Sequence, residues 1–104
     1  MIEFDLIEGF EWDQGNARKS VAKHGVTQAE SEQMFLNQPL IVLQDTLHSL
    51  DEPRFHALGK TDAGRCLHVT FTLRGDRRLI RVISARDMSR KEKARYDEDA
   101  QKDA

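Results

Sequence analysis

Residues 77–96 read RRLIRVISARDMSRKEKARY, and the change of pattern inside this run decides the fold. Its first half gathers Leu79, Ile80, Val82 and Ile83 with no Gly or Pro among them, which is strand composition. Its second half starts a helix. Ser89 and Glu92 have capping-box spacing, in which the hydroxyl accepts a backbone N–H and the carboxylate reaches back to the cap residue. The charge of the run is unusual: Arg77, Arg78, Arg81, Arg86, Arg90, Lys91, Lys93 and Arg95 face only Asp87 and Glu92. Arg90 and Lys91 fall where a helix dipole is positive, and Asp97, Glu98 and Asp99 fall where the helix is expected to end and the dipole is negative. Each such charge costs roughly a few tenths of a kcal/mol. A local rule broken at both ends points to a bound anion at the helix start, phosphate first.

Upstream of this run the chain reads as a meander. Residues 65–73 alternate most cleanly, with Leu67, Val69, Phe71 and Leu73 against Cys66, His68, Thr70 and Thr72. Residues 54–60 (RFHALGK) put Phe55 and Ala57 on one face and Arg54 and His56 on the other, with a turn at 61–64. A further apolar strand is expected at 40–44, followed by a polar loop over 45–53 that contains His48, Asp51 and Glu52. Before Pro39 two helices are expected. One is capped by Asp13, runs to about Lys23 with Ala17, Val21 and Ala22 toward the core, and closes at Gly25; the other starts at the Thr27–Glu30 capping box and ends near Asn37 with Met34, Phe35 and Leu36 as anchors. The sum is an α+β fold, two N-terminal helices on one face of a mainly antiparallel sheet and a C-terminal helix.

At 104 residues and 38% hydrophobic, the chain is expected to form one domain over 1–104, with about 97–104 frayed. It has no apolar run of membrane-spanning length, and a single cysteine, Cys66, excludes an internal disulfide framework; a soluble, cytoplasmic protein is the expectation. The net charge of −2 hides a strong asymmetry. Residues 1–53 carry three basic and ten acidic side chains, a net −7, whereas residues 54–95 carry twelve and four, a net +8. That separation also points to an anionic partner on one face.

The motifs FEWD (10–13), AKHGVT (22–27), DEPRF (51–55), RVISAR (81–86) and SRKEKARYDE (89–98), in this order, resemble the BrnT toxins, the ribonuclease half of BrnT–BrnA toxin–antitoxin pairs. The resemblance implies a RelE-like fold and a cytoplasmic endoribonuclease that blocks translation, acts on free or ribosome-bound mRNA, and forms a heteromeric complex with a BrnA-like antitoxin. It implies no cofactor.

Cutting RNA without a metal requires activating the 2′-hydroxyl, stabilising charge on the phosphorane and protonating the leaving oxygen. The four histidines have no metal-ligand spacing, so guanidinium groups are expected to supply the charge. Arg81 and Arg86 lead, with Arg54 at the strand entry, and Arg81, Arg86 and Arg90 are expected to share one hollow. His56 and His68, on neighbouring strands, are the candidates for proton transfer. Arg90, Lys91 and Ser84 are candidate RNA contacts, and Tyr96 a candidate stacking ring. Each has a plainer reading: surface ion pair for the arginines, half-buried polar residue for the histidines, strand end for Ser84, packing for Tyr96. A non-catalytic nucleic-acid-binding or antitoxin-docking module is the alternative function.

Overall fold

The computed structural model describes residues 2, 4–47 and 52–102, apart from the side chains of residues 20, 22 and 102. His48 and Asp51 therefore lie outside the described residues. In chain order the elements are a 3-10 turn (Phe4–Leu6), β1 (Gly9–Phe10), α1 (Gln14–Ala17), α2 (Lys19–His24), α3 (Gln28–Leu36), β2 (Ile41–Asp45), β3 (Arg54–Lys60), β4 (Cys66–Arg74), β5 (Leu79–Asp87) and α4 (Arg90–Lys102). The four long strands form the expected antiparallel meander, and β1 adds to β5 in parallel, so the sheet is mixed with order β1-β5-β4-β3-β2.

The alternation in β4 sorts the two faces. Leu67, Val69 and Phe71 are fully buried and pack with Phe55, Ala57, Ile80, Val82 and Ala85 beneath the N-terminal helices, where Met34 of α3 and Val26 of the α2–α3 link complete the core. On β3, Gly59 lets α3 come close: a Cβ there would sit 2.9 Å from both the Met34 carbonyl oxygen and its methyl group. The opposite face carries His56, Thr70 and His68, and α4 lies against it. Tyr96 is 1% exposed and donates its hydroxyl to the Pro39 carbonyl (2.6 Å), while Lys60 Nζ lies 5.9 Å from the centre of its ring.

Several expectations are corrected. The first helix is broken at Arg18 into α1 and α2. Asn16 explains the break, because its side chain turns inward and donates to the Glu11 and Val82 carbonyls (2.9 and 3.0 Å), tying a single helical turn to β5. Val21 and Leu36 are 47% and 78% exposed rather than core residues. Met34, Phe35 and Leu36 are consecutive, and three consecutive helical positions sweep too wide an arc to share one face. Arg77 and Arg78 belong to the turn before β5, where Asp76 and Arg77 adopt positive φ. α4 continues through the stretch expected to fray as far as Lys102. Asp97 and Asp99 are thus inside the helix, where Lys93 and Arg95 pair with them at i,i+4 spacing, so they do not mark an unfavourable helix end.

Candidate active site

The polar face of the sheet brings two histidines together by register. His56 on β3 lies opposite Thr70 on β4, and His68 lies opposite Leu58, so the two rings are diagonal neighbours with centroids 4.9 Å apart. Both nitrogens of His56 are engaged: Nε2 is 2.8 Å from a carboxylate oxygen of buried Asp45, and Nδ1 is 3.0 Å from the Thr70 hydroxyl. A carboxylate at Nε2 calls for a proton on that nitrogen, which leaves Nδ1 to accept from Thr70.

His68 lies directly across from Arg86 on β5. The Arg86 fork grips Glu92 with two bonds (2.8 and 2.9 Å), Glu92 also accepts the Ser89 backbone N–H (2.8 Å), and its second oxygen is 3.6 Å from His68 Nε2. The capping box expected at the start of α4 is therefore formed, and its carboxylate does a second job on the sheet. The Arg86 bonds, with help from Ser89 and against partial burial, pull the Glu92 carboxyl down to about 2. Burial holds His68 below its usual value, reinforced by the Arg86 charge and opposed by Glu92, so its ring is neutral at pH 7. His68 Nδ1 is buried without a hydrogen-bond partner among the described residues.

The other candidates divide. Ser84 is half-buried opposite Thr70, and Arg54 opens β3 two residues before His56 on the same face, so both flank the histidines. Arg90 and Lys91 are exposed in the first turn of α4. Arg81 stands apart. It pairs with Thr72 in register, four residues along β4 from His68, a separation of about 13 Å. Its guanidinium binds Glu11 (3.0 Å) and Asp13 (2.9 Å). Arg81 and Arg86 thus lie on different carboxylates toward opposite ends of β5 and do not share a hollow. Tyr96 is too buried to offer a stacking face. Asp45, Thr70 and Glu92 lie against the two histidines and join the candidate site, where the sequence alone does not place them. Glu92 carries a visible signal, its spacing from both Ser89 and Arg86, of which the capping box expresses only the first.

The charge asymmetry also has an internal explanation. Acidic residues of the first half pair with arginines of the second: Glu8 with Arg78 (2.7 Å), Glu11 and Asp13 with Arg81, Glu30 with Arg65 (3.2 Å) and Glu52 with Arg74 (2.9 Å). Much of the expected anion-binding surface is satisfied within the chain.

A family model described as "Ribonuclease toxin, BrnT, of type II toxin-antitoxin system" matches residues 12–92. The chain belongs to the BrnT family. The crystal structure of the Brucella abortus ribonuclease toxin BrnT is similar to it, with a TM-score of 0.58 and 25% identity over 79% of this chain and 97% of that one. No curated protein sequence matches the chain. The matched span of this BrnT-family chain contains every member of the Asp45–His56–Thr70 and His68–Arg86–Glu92 groups. Among the described residues, no helix is long and apolar enough to cross a membrane, and no group of three His, Cys, Asp or Glu side chains is placed to hold a metal ion.

Proposed function

We propose that this BrnT-family chain is a metal-independent endoribonuclease of RelE-like fold. It cleaves free or ribosome-bound mRNA in the cytoplasm, halts translation, and is neutralised by a BrnA-like antitoxin. The observation that carries the reading is the pair of neighbouring imidazoles, each beside a carboxylate, with the Arg86 guanidinium directly across from one of them. In this reading His68, neutral at pH 7, takes the proton of the ribose 2′-hydroxyl. The 2′-oxygen attacks phosphorus, the bond to the 5′-oxygen breaks, and that oxygen takes up the proton which His68 removed, passed on through His56, the ring that Asp45 and Thr70 hold beside it. Arg86 meets the charge that builds on the non-bridging oxygens, and Arg54, Arg90, Lys91 and Ser84 steer the strand. The products are a 2′,3′-cyclic phosphate and a 5′-hydroxyl.

The test is cleavage of an oligoribonucleotide in the presence of EDTA. Products ending in cyclic phosphate are expected, and none from the same oligomer bearing 2′-O-methyl groups. Intact RNA in the first reaction and in a parallel one with ribosome-bound mRNA, from protein that is folded, would remove the reading.

A further inference from the structure

On the β4–β5 side of the site, one carboxylate already holds the groups a phosphodiester would need. The two Glu92 oxygens lie on the two terminal nitrogens of Arg86, 2.8 and 2.9 Å away, the same two-pronged geometry in which a guanidinium takes two phosphate oxygens. One of those oxygens also lies 3.6 Å from His68 Nε2. The other His68 nitrogen is buried and has no hydrogen-bond partner among the described residues, so Nε2 is the nitrogen that looks toward the occupied position. From this geometry we propose that Glu92 is an internal surrogate for the RNA phosphate, an autoinhibitory contact that substrate must displace before it can seat on Arg86 and His68. The proposal rests on the reading of His68 and Arg86 as site residues.

The surrogate is anchored as well as charged. Glu92 accepts the Ser89 N–H and takes its own N–H to the Ser89 hydroxyl, so withdrawing its side chain from Arg86 also disturbs the start of α4. A lone phosphate competes poorly against a carboxylate tethered at its target. A polynucleotide competes better, because its neighbouring phosphates also meet the exposed Arg90 and Lys91 at the same helix start. The contact therefore sets a threshold that favours polymeric RNA over mononucleotides and inorganic phosphate.

Glu92→Gln tests this, because glutamine keeps the capping reach and removes the charge. Binding is measured with inorganic phosphate and with a 2′-O-methyl oligoribonucleotide that cannot be cut, and cleavage with the unmodified oligomer. Glu92→Gln is expected to bind both probes about tenfold more tightly than the unaltered protein and to cleave faster at low substrate. Unchanged or weaker binding by a folded Glu92→Gln protein overturns the surrogate, even where the unaltered protein cleaves RNA and the ribonuclease reading stands. Tighter binding with no cleavage by either protein supports the surrogate and removes the ribonuclease reading. If Glu92→Gln does not fold, Glu92→Asp is read the same way: its side chain is one methylene shorter, keeps an acid at the helix start and falls short of the Arg86 fork.

Discussion

Arg81 and Arg86 lie five residues apart on β5, and the two ends of that strand give them different chemistry. The Arg81 end is built into the scaffold. There the N-terminal segment runs alongside β5, and Glu11 and Asp13, the cap of α1, close on the guanidinium, whose side chain is 19% exposed. The Arg86 end faces His68 and the start of α4, and its carboxylate partner belongs to a helix cap that also touches the neighbouring histidine. Identical side chains on one strand are thus a structural clamp in one place and a candidate phosphate fork in the other. The difference arises from what lies across the strand, a histidine in one case and a threonine bonded to the Pro53 carbonyl in the other.

The sharpest way to break this contrast is at the Arg86 end. His68→Gln is expected to lower the rate of oligoribonucleotide cleavage by roughly 100- to 10,000-fold, the usual worth of a general base, while circular dichroism shows an unchanged fold. A loss below about tenfold would take proton transfer away from His68. The two arginines come next. Arg86→Ala should cost about 100-fold in cleavage, the scale of one charge-stabilising donor, whereas Arg81→Ala should cost less than about tenfold and show mainly as a stability loss near 1 kcal/mol in urea unfolding. Equal catalytic losses from both would dissolve the distinction.

How much of this was legible before the structure depends on the distance over which each feature acts. The Thr27–Glu30 and Ser89–Glu92 caps, the left-handed Gly25 and the alternation in β4 are local, and all three kinds appear as read. The approach of His56 to His68 needed only the assumption that β3 and β4 form a hairpin. Asp45 could not be attached to His56 without the β2–β3 register, because the two are separated by a loop whose length leaves that register open. β1 was illegible for a similar reason: two residues joined in parallel across most of the chain carry no periodicity. The partners of Arg81 were illegible because composition shows a charge and not its partner, and Glu11 and Asp13 lie about seventy residues upstream of it.

Acid stability probes the same contrast with a smaller effect. The Glu92 carboxyl is held at about 2 in the folded chain against an ordinary value near 4.5. A lowered carboxyl contributes its full stability above the ordinary value and loses it as pH falls toward the folded one. The unaltered protein should therefore lose about 2 kcal/mol relative to Glu92→Gln between about pH 4.5 and 2, after allowance for partial exposure. His68 acts in the window above it: its lowered value means the unfolded chain takes the proton first, so its share of stability declines as pH drops below about 6.5. Parallel pH curves for Glu92→Gln and the unaltered protein would show that the Arg86 fork does not hold the carboxylate in solution.

The smallest effect is expected at Tyr96, where α4 is held to the sheet. Its hydroxyl donates a 2.6 Å bond to the Pro39 carbonyl on the segment leading into β2, and removing it leaves a carbonyl without that donor. Tyr96→Phe keeps the ring, so packing on the sheet is unchanged and only the bond is lost, a cost of about 1 kcal/mol. For a chain of this size that corresponds to a fall in Tm of about 4–8 °C. RNA affinity should change less than about twofold, because the ring is buried and reaches no substrate. The opposite result, an unchanged Tm with weakened RNA binding, would mean that α4 lifts from the sheet to expose Tyr96 when RNA arrives. In that case the helix bearing Glu92 would open as a unit, in place of the single side chain that the Arg86–Glu92 geometry implies.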